Sequence, residues 1–321
     1  MNARYLSMAV LLLAWAGGAI AQYPAKPVRV IVPFTAGSAI DVNARLIGQK
    51  LSEIWGQQVI ADNRPGANSI IGMEAAAKSP PDGHTLVLGN DAALAMNPAL
   101  YPKLSYDPSR DFEPITLIGS NSLMLVVPAA SPVRSVRDLL ALARERKGEL
   151  NYGSGGNGSA QHIPMEILIS MTGVRLTHIP YKGVGPALTD VIGGLVPVMF
   201  AGTPGALPHV RSGKLRALAI ASAARSSAAP EVPTVDEAGV PGYYYAAWVG
   251  YLAPAGTPRE IVGRLNADII RAINAPEVRE KLVAIGFETQ TGTPEEFAQL
   301  IVRERARMAR LVRDAGLKSD Q

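Results

Sequence analysis

Hydrophobic positions along the chain follow two alternating rhythms. Val28 to Pro33 (VRVIVP) is a short β-branched run of the kind buried in a sheet, and the small residues from Phe34 to Ala39 turn it into a helix expected over Ile40 to Trp55. A strand over Gln58 to Asp62, a loop over Asn63 to Asn68, a helix near Ile71 to Ala77 and a strand over Thr85 to Gly89 follow. This βαβαβ order predicts a parallel α/β sheet. Two uninterrupted apolar runs, Ile115 to Gly119 and Leu123 to Val127, precede an amphipathic helix over Ser135 to Arg146, where a second α/β unit begins. Its strands are expected to end at Asn151 to Gly153 and to run over Arg175 to Ile179, Val196 to Phe200 and Leu215 to Ala221. Its helices are expected over Ile163 to Met171 and Ala187 to Gly193. A β-prone aromatic stretch, Tyr243 to Ala253, then leads to two helices, Arg259 to Ile273 and Pro294 to Ala315.

Those last helices have no third sheet to cover. The economical solution returns them to the first unit, so that domain one is discontinuous (22–124 and 246–321) and domain two (125–245) is inserted into it through two extended hinge crossings. A cleft between two α/β domains follows, and ligands bind in such clefts outside the carboxyl ends of parallel strands.

Composition narrows the chemistry. A chain of 321 residues with 48% hydrophobic and 18% charged residues can bury a core, and its net charge of +4 is too small to indicate a nucleic-acid partner. The absence of cysteine excludes disulfides, thiolate zinc sites, a cysteine nucleophile and a lipidated amino-terminal cysteine. None of the four histidines, His84, His162, His178 and His209, pairs with another at i,i+4, so no metal site and no cofactor is expected. Arg4, the apolar run Met8 to Ala16 and Ala19-Ile20-Ala21 before Gln22 form a secretory leader over residues 1–21. A membrane anchor fits less well, because the uncharged stretch contains Gly17-Gly18 and is marginal for spanning. The mature chain is therefore expected to be exported, free of a tether and monomeric, in a compartment that disfavours functions needing nucleotides.

Two loops could carry chemistry. In Pro33-Phe34-Thr35-Ala36-Gly37-Ser38-Ala39-Ile40-Asp41, Ser38 and Asp41 fit a capping box, while Gly37 allows close backbone approach and free amides at the helix start suit a carboxylate. Both readings stay open. The second loop, Tyr152 to His162 (YGSGGNGSAQH), contains Ser154, Gly155, Gly156, Ser159, Ala160 and His162. Its Gly153-x-Gly155-x-x-Gly158 formally matches a dinucleotide fingerprint, but the next strand ends in Pro180-Tyr181-Lys182 without the ribose-binding acid. Pro164 belongs in a first helical turn, so this helix should begin near Ser159 to Gln161. There His162 is expected neutral, donating to a ligand or to backbone, or merely capping. Tyr181 could hydrogen-bond a ligand or pack beneath its turn, and Ala201-Gly202-Thr203 could face the cleft. The run Arg303 to Arg313 reads as a solvated helix face. A secreted hydrolase using Ser159 and His162 is the alternative class, although no G-x-S-x-G elbow or orienting acid accompanies them.

Ordered segments over nearly the whole mature chain carry a resemblance: YPAKPVRVIVPF, ADNRPGA, PPDGHTL, NPALYPKLSYDP, LNYGSGGNGSAQH, HIPYKGVGPAL, GKLRALA, VPTVDEAG and LAPAGTP. The chain resembles the Bug-type extracytoplasmic solute receptors associated with tripartite tricarboxylate transporters. The resemblance implies a periplasmic-binding-protein-like fold, no enzymatic activity, a small carboxylated ligand (a di- or tricarboxylate or an aromatic acid) and membrane permease partners. It also implies that Thr35 to Ser38 with Asp41, and Ser154 to His162, hold a ligand carboxylate largely through amides, hydroxyls and waters. Family members often have Gly-Gly where Gly37-Ser38 stands, and commonly an Asp where Ala201 stands, which tilts expectation toward a plain acid over an amino acid.

Overall fold

The computed structural model describes residues 23–315, so the leader expected over residues 1–21 lies outside the described residues. From the amino end the chain forms β1 (Val28–Val32), α1 (Ala39–Trp55), β2 (Val59–Asn63), α2 (Ile70–Ala77), β3 (Thr85–Asn90), α3 (Asn97–Leu100) and β4 (Phe112–Asn121). Next come β5 (Leu123–Pro128), α4 (Val136–Arg146), β6 (Asn151–Ser154), α5 (Ile163–Thr172), β7 (Thr177–Pro180), α6 (Val184–Ile192), β8 (Met199–Gly202), α7 (Thr203–Arg211) and β9 (Leu215–Ile220). The chain closes with β10 (Ala247–Pro254), α8 (Arg259–Asn274), α9 (Pro276–Ala284), β11 (Phe287–Thr289) and α10 (Pro294–Ala315).

The strands form two sheets and two α/β domains, ordered β11-β4-β10-β3-β1-β2 and β7-β6-β8-β5-β9. β1 to β3 are parallel as expected, but β10 runs antiparallel to both β3 and β4, so the first sheet is mixed. β1 is buried on both faces: Val28, Val30 and Val32 pack with Ile47, Leu51 and Leu265, and Ile31 packs on the other side with Met73 and Val87. Each such side chain contributes about 1.5–3 kcal/mol over exposure. α8 packs on α1 and β4, and α10 on β4 and α3, so both closing helices cover the first sheet. Trp55 at the end of α1 donates its indole N–H to Asp268 of α8 at 2.7 Å.

Several elements escape the periodicity. α7 carries Pro204 and Pro208, residues that argue against a helix, and is tolerated because Pro204 lies in its first turn. α9 also opens on a proline, Pro276, and β11 has only three residues. A π-helical turn, Ala92–Met96, follows β3. Among the described residues no helix is long and apolar enough to cross a membrane.

Strand direction fixes where the loops lie. β4 is parallel to β3, because both run antiparallel to β10, so the carboxyl ends of β1 to β4 share one end of the first sheet. The chain leaves that end at Asn121 and enters β5 at Leu123, which pairs with Gly202 at the carboxyl end of β8. β6 and β7 are parallel to β8. The carboxyl-end loops of both sheets therefore lie at the ends joined by the crossings, and the sequence from Ala221 to Ala246 makes the second crossing.

Candidate functional site

The loop after β1 is held by its own carboxylate. Ser38 caps α1 by accepting the Asp41 amide at 3.2 Å, while Asp41 Oδ2 accepts the amide of Gly37, one residue before the cap, at 2.9 Å, so only the Ser38 half of the capping box forms. Asp41 is 2% exposed and also accepts from Arg45 at 3.0 Å and, through Oδ1, from Asn63 at 2.8 Å. Burial alone would raise its pKa, but these hydrogen bonds from Arg45, Gly37 and Asn63 carry it below the usual carboxylate range. Asn63 also donates to the Phe34 carbonyl at 3.1 Å, and Ser38 donates its amide to Thr35. Asp41 is thus committed to the loop's interior, whereas Thr35, Ala36 and Gly37 are exposed. Of the amides at this turn, that of Gly37 is taken by the Asp41 carboxylate and that of Asp41 by the Ser38 hydroxyl, so neither is free for a ligand.

The glycine-rich loop after β6 rests on aromatic rings. Ser154 is fully buried, and its hydroxyl meets the Gly156 amide at 3.0 Å, the Gly156 carbonyl at 3.1 Å and His178 Nε2 at 2.6 Å. His162, 6% exposed, accepts the Gly158 amide at Nδ1 (3.0 Å), which leaves the ring proton on Nε2, 3.6 Å from Glu166. His162 is expected to donate to a ligand or to backbone, or merely to cap; at Nδ1 it instead accepts from backbone, with its ring buried. The helix α5 begins at Ile163, after a turn in which Ser159 accepts the His162 amide at 3.3 Å. Because Ser159 meets the backbone of His162 and not its imidazole, the nucleophile–base pair of the hydrolase alternative does not form. Gly155, Gly156, Ser159 and Ala160 remain partly exposed.

The remaining candidates sort by burial. Tyr181 donates its hydroxyl to Asp190 of α6 at 2.6 Å, and this bond raises its pKa; the half-buried ring packs against the apolar core of the second domain. Ala201 lies in the core of the second domain, 1% exposed, and does not present its side chain to the cleft. Thr203 is fully buried and meets Ser122 at 2.8 Å, while Ser122 donates to Ser226 at 3.2 Å. These three hydroxyls tie the two crossings to the start of α7. Gly202, half-buried, sits between them.

Other residues enter from the structure alone. Gly155 abuts the start of α6, where a Cβ would sit 3.4 Å from the Val184 amide nitrogen. α6 starts at Gly183 with no side-chain cap and no acid in its first turn, and exposed Lys182 precedes it. Across the cleft, Gly158 approaches domain one so closely that a Cβ would lie 3.1 Å from Leu100 and 3.3 Å from Asn68. Asn68 belongs to a left-handed run, Ala67 to Ser69, and exchanges hydrogen bonds with Asn97 at 2.9 Å. The ADNRPGA motif signalled this loop without signalling its role. Arg307, read as solvated, donates to the Tyr244 carbonyl at 2.9 Å and pairs with Glu304, anchoring the second crossing. A cavity of about 800 Å³ lies elsewhere, lined by Trp248, Glu288, Phe297 and Arg303 at the β4–β11 edge, and holds none of the sequence-predicted residues. Among the described residues, no group of three or more acids and histidines could hold a metal.

The family model described as "Tripartite tricarboxylate transporter family receptor" matches residues 43–317. A protein encoded in the tcbD–tcbE intergenic region of Pseudomonas sp. (strain P51) is 40% identical over 300 residues, 93% of this chain and 89% of that protein. Among solved structures, R. palustris Rpa4515 with adipate aligns with a TM-score of 0.83 at 38% identity, covering 92% of this chain and 99% of that one. MatC from Rhodopseudomonas palustris with bound malate aligns with a TM-score of 0.79 at 34% identity, covering 90% of this chain and 100% of its own. Family model and fold agree, and the chain belongs to the tripartite tricarboxylate transporter receptor family, whose members are solute-binding proteins and not enzymes.

Proposed function

We propose that this chain is a periplasmic receptor that captures a small dicarboxylate between its two domains and delivers it to membrane permease subunits. The observation that carries this reading is the uncapped start of α6 beside the Gly155–Gly156 loop, at an end of the second sheet that the crossings join to the end bearing the exposed Thr35–Gly37 loop. Amides at a helix start carry partial positive charge and suit a carboxylate. Rpa4515 with adipate and MatC with malate, related at 38% and 34% identity, support a dicarboxylate as the ligand class.

In this reading residues 22–124 and 246–321 close on residues 125–245, and the ligand favours closure because it touches both domains only then. One carboxylate meets Ser159, Ala160 and the start of α6, and the second lies toward Thr35, Ala36 and Gly37. Exposed Lys182 reads the charge of the ligand, whereas the side chains of Ala201 and Thr203 are buried.

A thermal-shift series with adipate, malate, citrate, benzoate and a neutral sugar tests it. A diacid at a hundred times its dissociation constant should raise the midpoint by about 5 °C. Lys182→Ala should weaken a diacid more than benzoate. A rise with the sugar and with none of the acids would contradict the proposal.

A further inference from the structure

Two histidines lie stacked beneath the glycine-rich loop, their ring centroids 4.1 Å apart and 15° from parallel. His178 also stacks on Tyr152 at 4.8 Å. Each ring secures a different part of the loop. His178 reaches Gly156 through Ser154, whose hydroxyl meets its Nε2 at 2.6 Å and the Gly156 amide at 3.0 Å. His162 takes the Gly158 amide directly on Nδ1.

Around the pair, Tyr152 of β6 donates to Glu166 of α5, and Glu166 lies 3.6 Å from His162 Nε2. Burial would raise the Glu166 pKa, but hydrogen bonds from His162 and Tyr152 and the nearby His178 carry it below the usual range. The charged groups of neighbouring elements are already engaged: Asp190 of α6 with Tyr181, and Glu304 of α10 with Arg307, which also donates to Tyr244. Glu166 is therefore the carboxylate that faces the rings.

We propose that His162 is the positioning residue of the glycine-rich loop, and that protonation of the stacked pair unlatches this loop and weakens ligand capture as pH falls. The chemistry is local. With its proton on Nε2, His162 has one lone pair, at Nδ1, and the Gly158 N–H occupies it. A second proton can enter only at Nδ1, where it turns the acceptor into a donor facing the amide N–H. Glu166 favours a charge on Nε2–H, but it cannot restore the lost acceptor. A proton on His178 then adds like charge 4.1 Å away, so the two rings do not both carry one while the loop is latched. Gly158 is also the residue that meets Asn68 and Leu100 across the cleft, so freeing it loosens the contact on which closure depends.

The effect on capture rests on the receptor reading above; the latch itself does not. The test therefore has a readout without ligand and one with adipate as the probe. In the free mature protein, the Gly158 amide should exchange with solvent about tenfold faster in His162→Ala, the loss expected for one hydrogen bond. His162→Asn, whose Oδ1 can stand where Nδ1 stood, should restore most of the protection and remove its pH dependence. In calorimetric titrations from pH 8 to pH 5.5, adipate should weaken in the wild type about tenfold more than in His162→Asn. The titration of adipate itself is common to both proteins and cancels. Equal Gly158 exchange in wild type and His162→Ala, or identical pH profiles for wild type and His162→Asn, would overturn the proposal. If Gly158 exchange follows the prediction and no acid binds, the latch stands and the receptor reading fails.

Discussion

The two glycine loops at the joined ends of the two sheets are built alike and held differently. Each follows a strand, turns on glycine and enters a helix, yet the loop after β1 is fastened by a buried carboxylate and the loop after β6 by two imidazoles. Asp41 stays ionised far below neutrality, with Arg45 and Asn63 sharing its charge, so its hold on Gly37 does not change over the range in which histidine titrates. His162 holds Gly158 through a lone pair that a proton can take. One loop is thus fixed and the other conditional, although both sequences read as glycine turns before a helix.

Removing the carboxylate should have the largest effect. Asp41→Ala strands the Gly37 amide, Asn63 and Arg45 together, and should lower stability by about 2–4 kcal/mol in urea denaturation at pH 7.5. The sign with pH is definite. Asp41 has a lower pKa folded than unfolded, so its contribution is complete above the ordinary carboxylate range and is lost only as pH falls through the depressed value. Wild type and Asp41→Ala should therefore differ by a constant amount from pH 8 to pH 5.5 and converge only in stronger acid.

Alanine at the two turn glycines sharpens the contrast. Gly37 has φ 80° and nothing within 4 Å of an added Cβ, so Gly37→Ala should cost only the left-handed conformation, about 1 kcal/mol. Gly158 has φ 70° and would set its Cβ against Leu100 and Asn68, so Gly158→Ala should cost about 1–2 kcal/mol. It should also weaken ligand binding beyond that of Gly37→Ala, because the clash lies between domains. Equal binding losses would remove the distinction between the loops.

A smaller effect comes from Asp91, which follows β3 and accepts the Tyr245 hydroxyl at 2.6 Å. Burial is the main cause that pushes its pKa up to about 6. A folded pKa above the unfolded one means that the ionised group costs stability above pH 6 and that the cost fades as pH falls toward 4. Asp91→Asn should be more stable than wild type by about 1 kcal/mol at pH 8 in urea denaturation, and equal to it near pH 4. Its pH trend is opposite in sign to that of the histidine latch, so the variant separates the two.

Much of the architecture was legible because it depends on periodicity. The β-branched run from Val28 to Val32 and the apolar stripe of α1 appear where the pattern places them, and α8 and α10 return to the first sheet because they have no third sheet to cover. Pro204 and Pro208 hid α7, since residues that disfavour helix interiors sit where the first turn and tertiary packing tolerate them. At the site, the loops were legible but the directions of their side chains were not. Asp41, Ser154, His162 and Thr203 all carry polar groups suited to a ligand, and all turn inward to partners as remote in sequence as Asn63, His178 and Ser122. A sequence shows which atoms could bind; long-range partners decide which are already engaged. Lys182 and the bare start of α6 are noticed only once Gly155 is seen against Val184.

The most direct test of a dicarboxylate held between the two loops is an amide-resolved NMR titration of the mature protein with adipate at pH 7.5. Saturable shifts are expected at Ala36 and Gly37 in one domain and at Gly155, Gly156 and Val184 in the other, with one midpoint for all. Shifts confined to the cavity around Trp248 and Glu288, or to one loop alone, would contradict it.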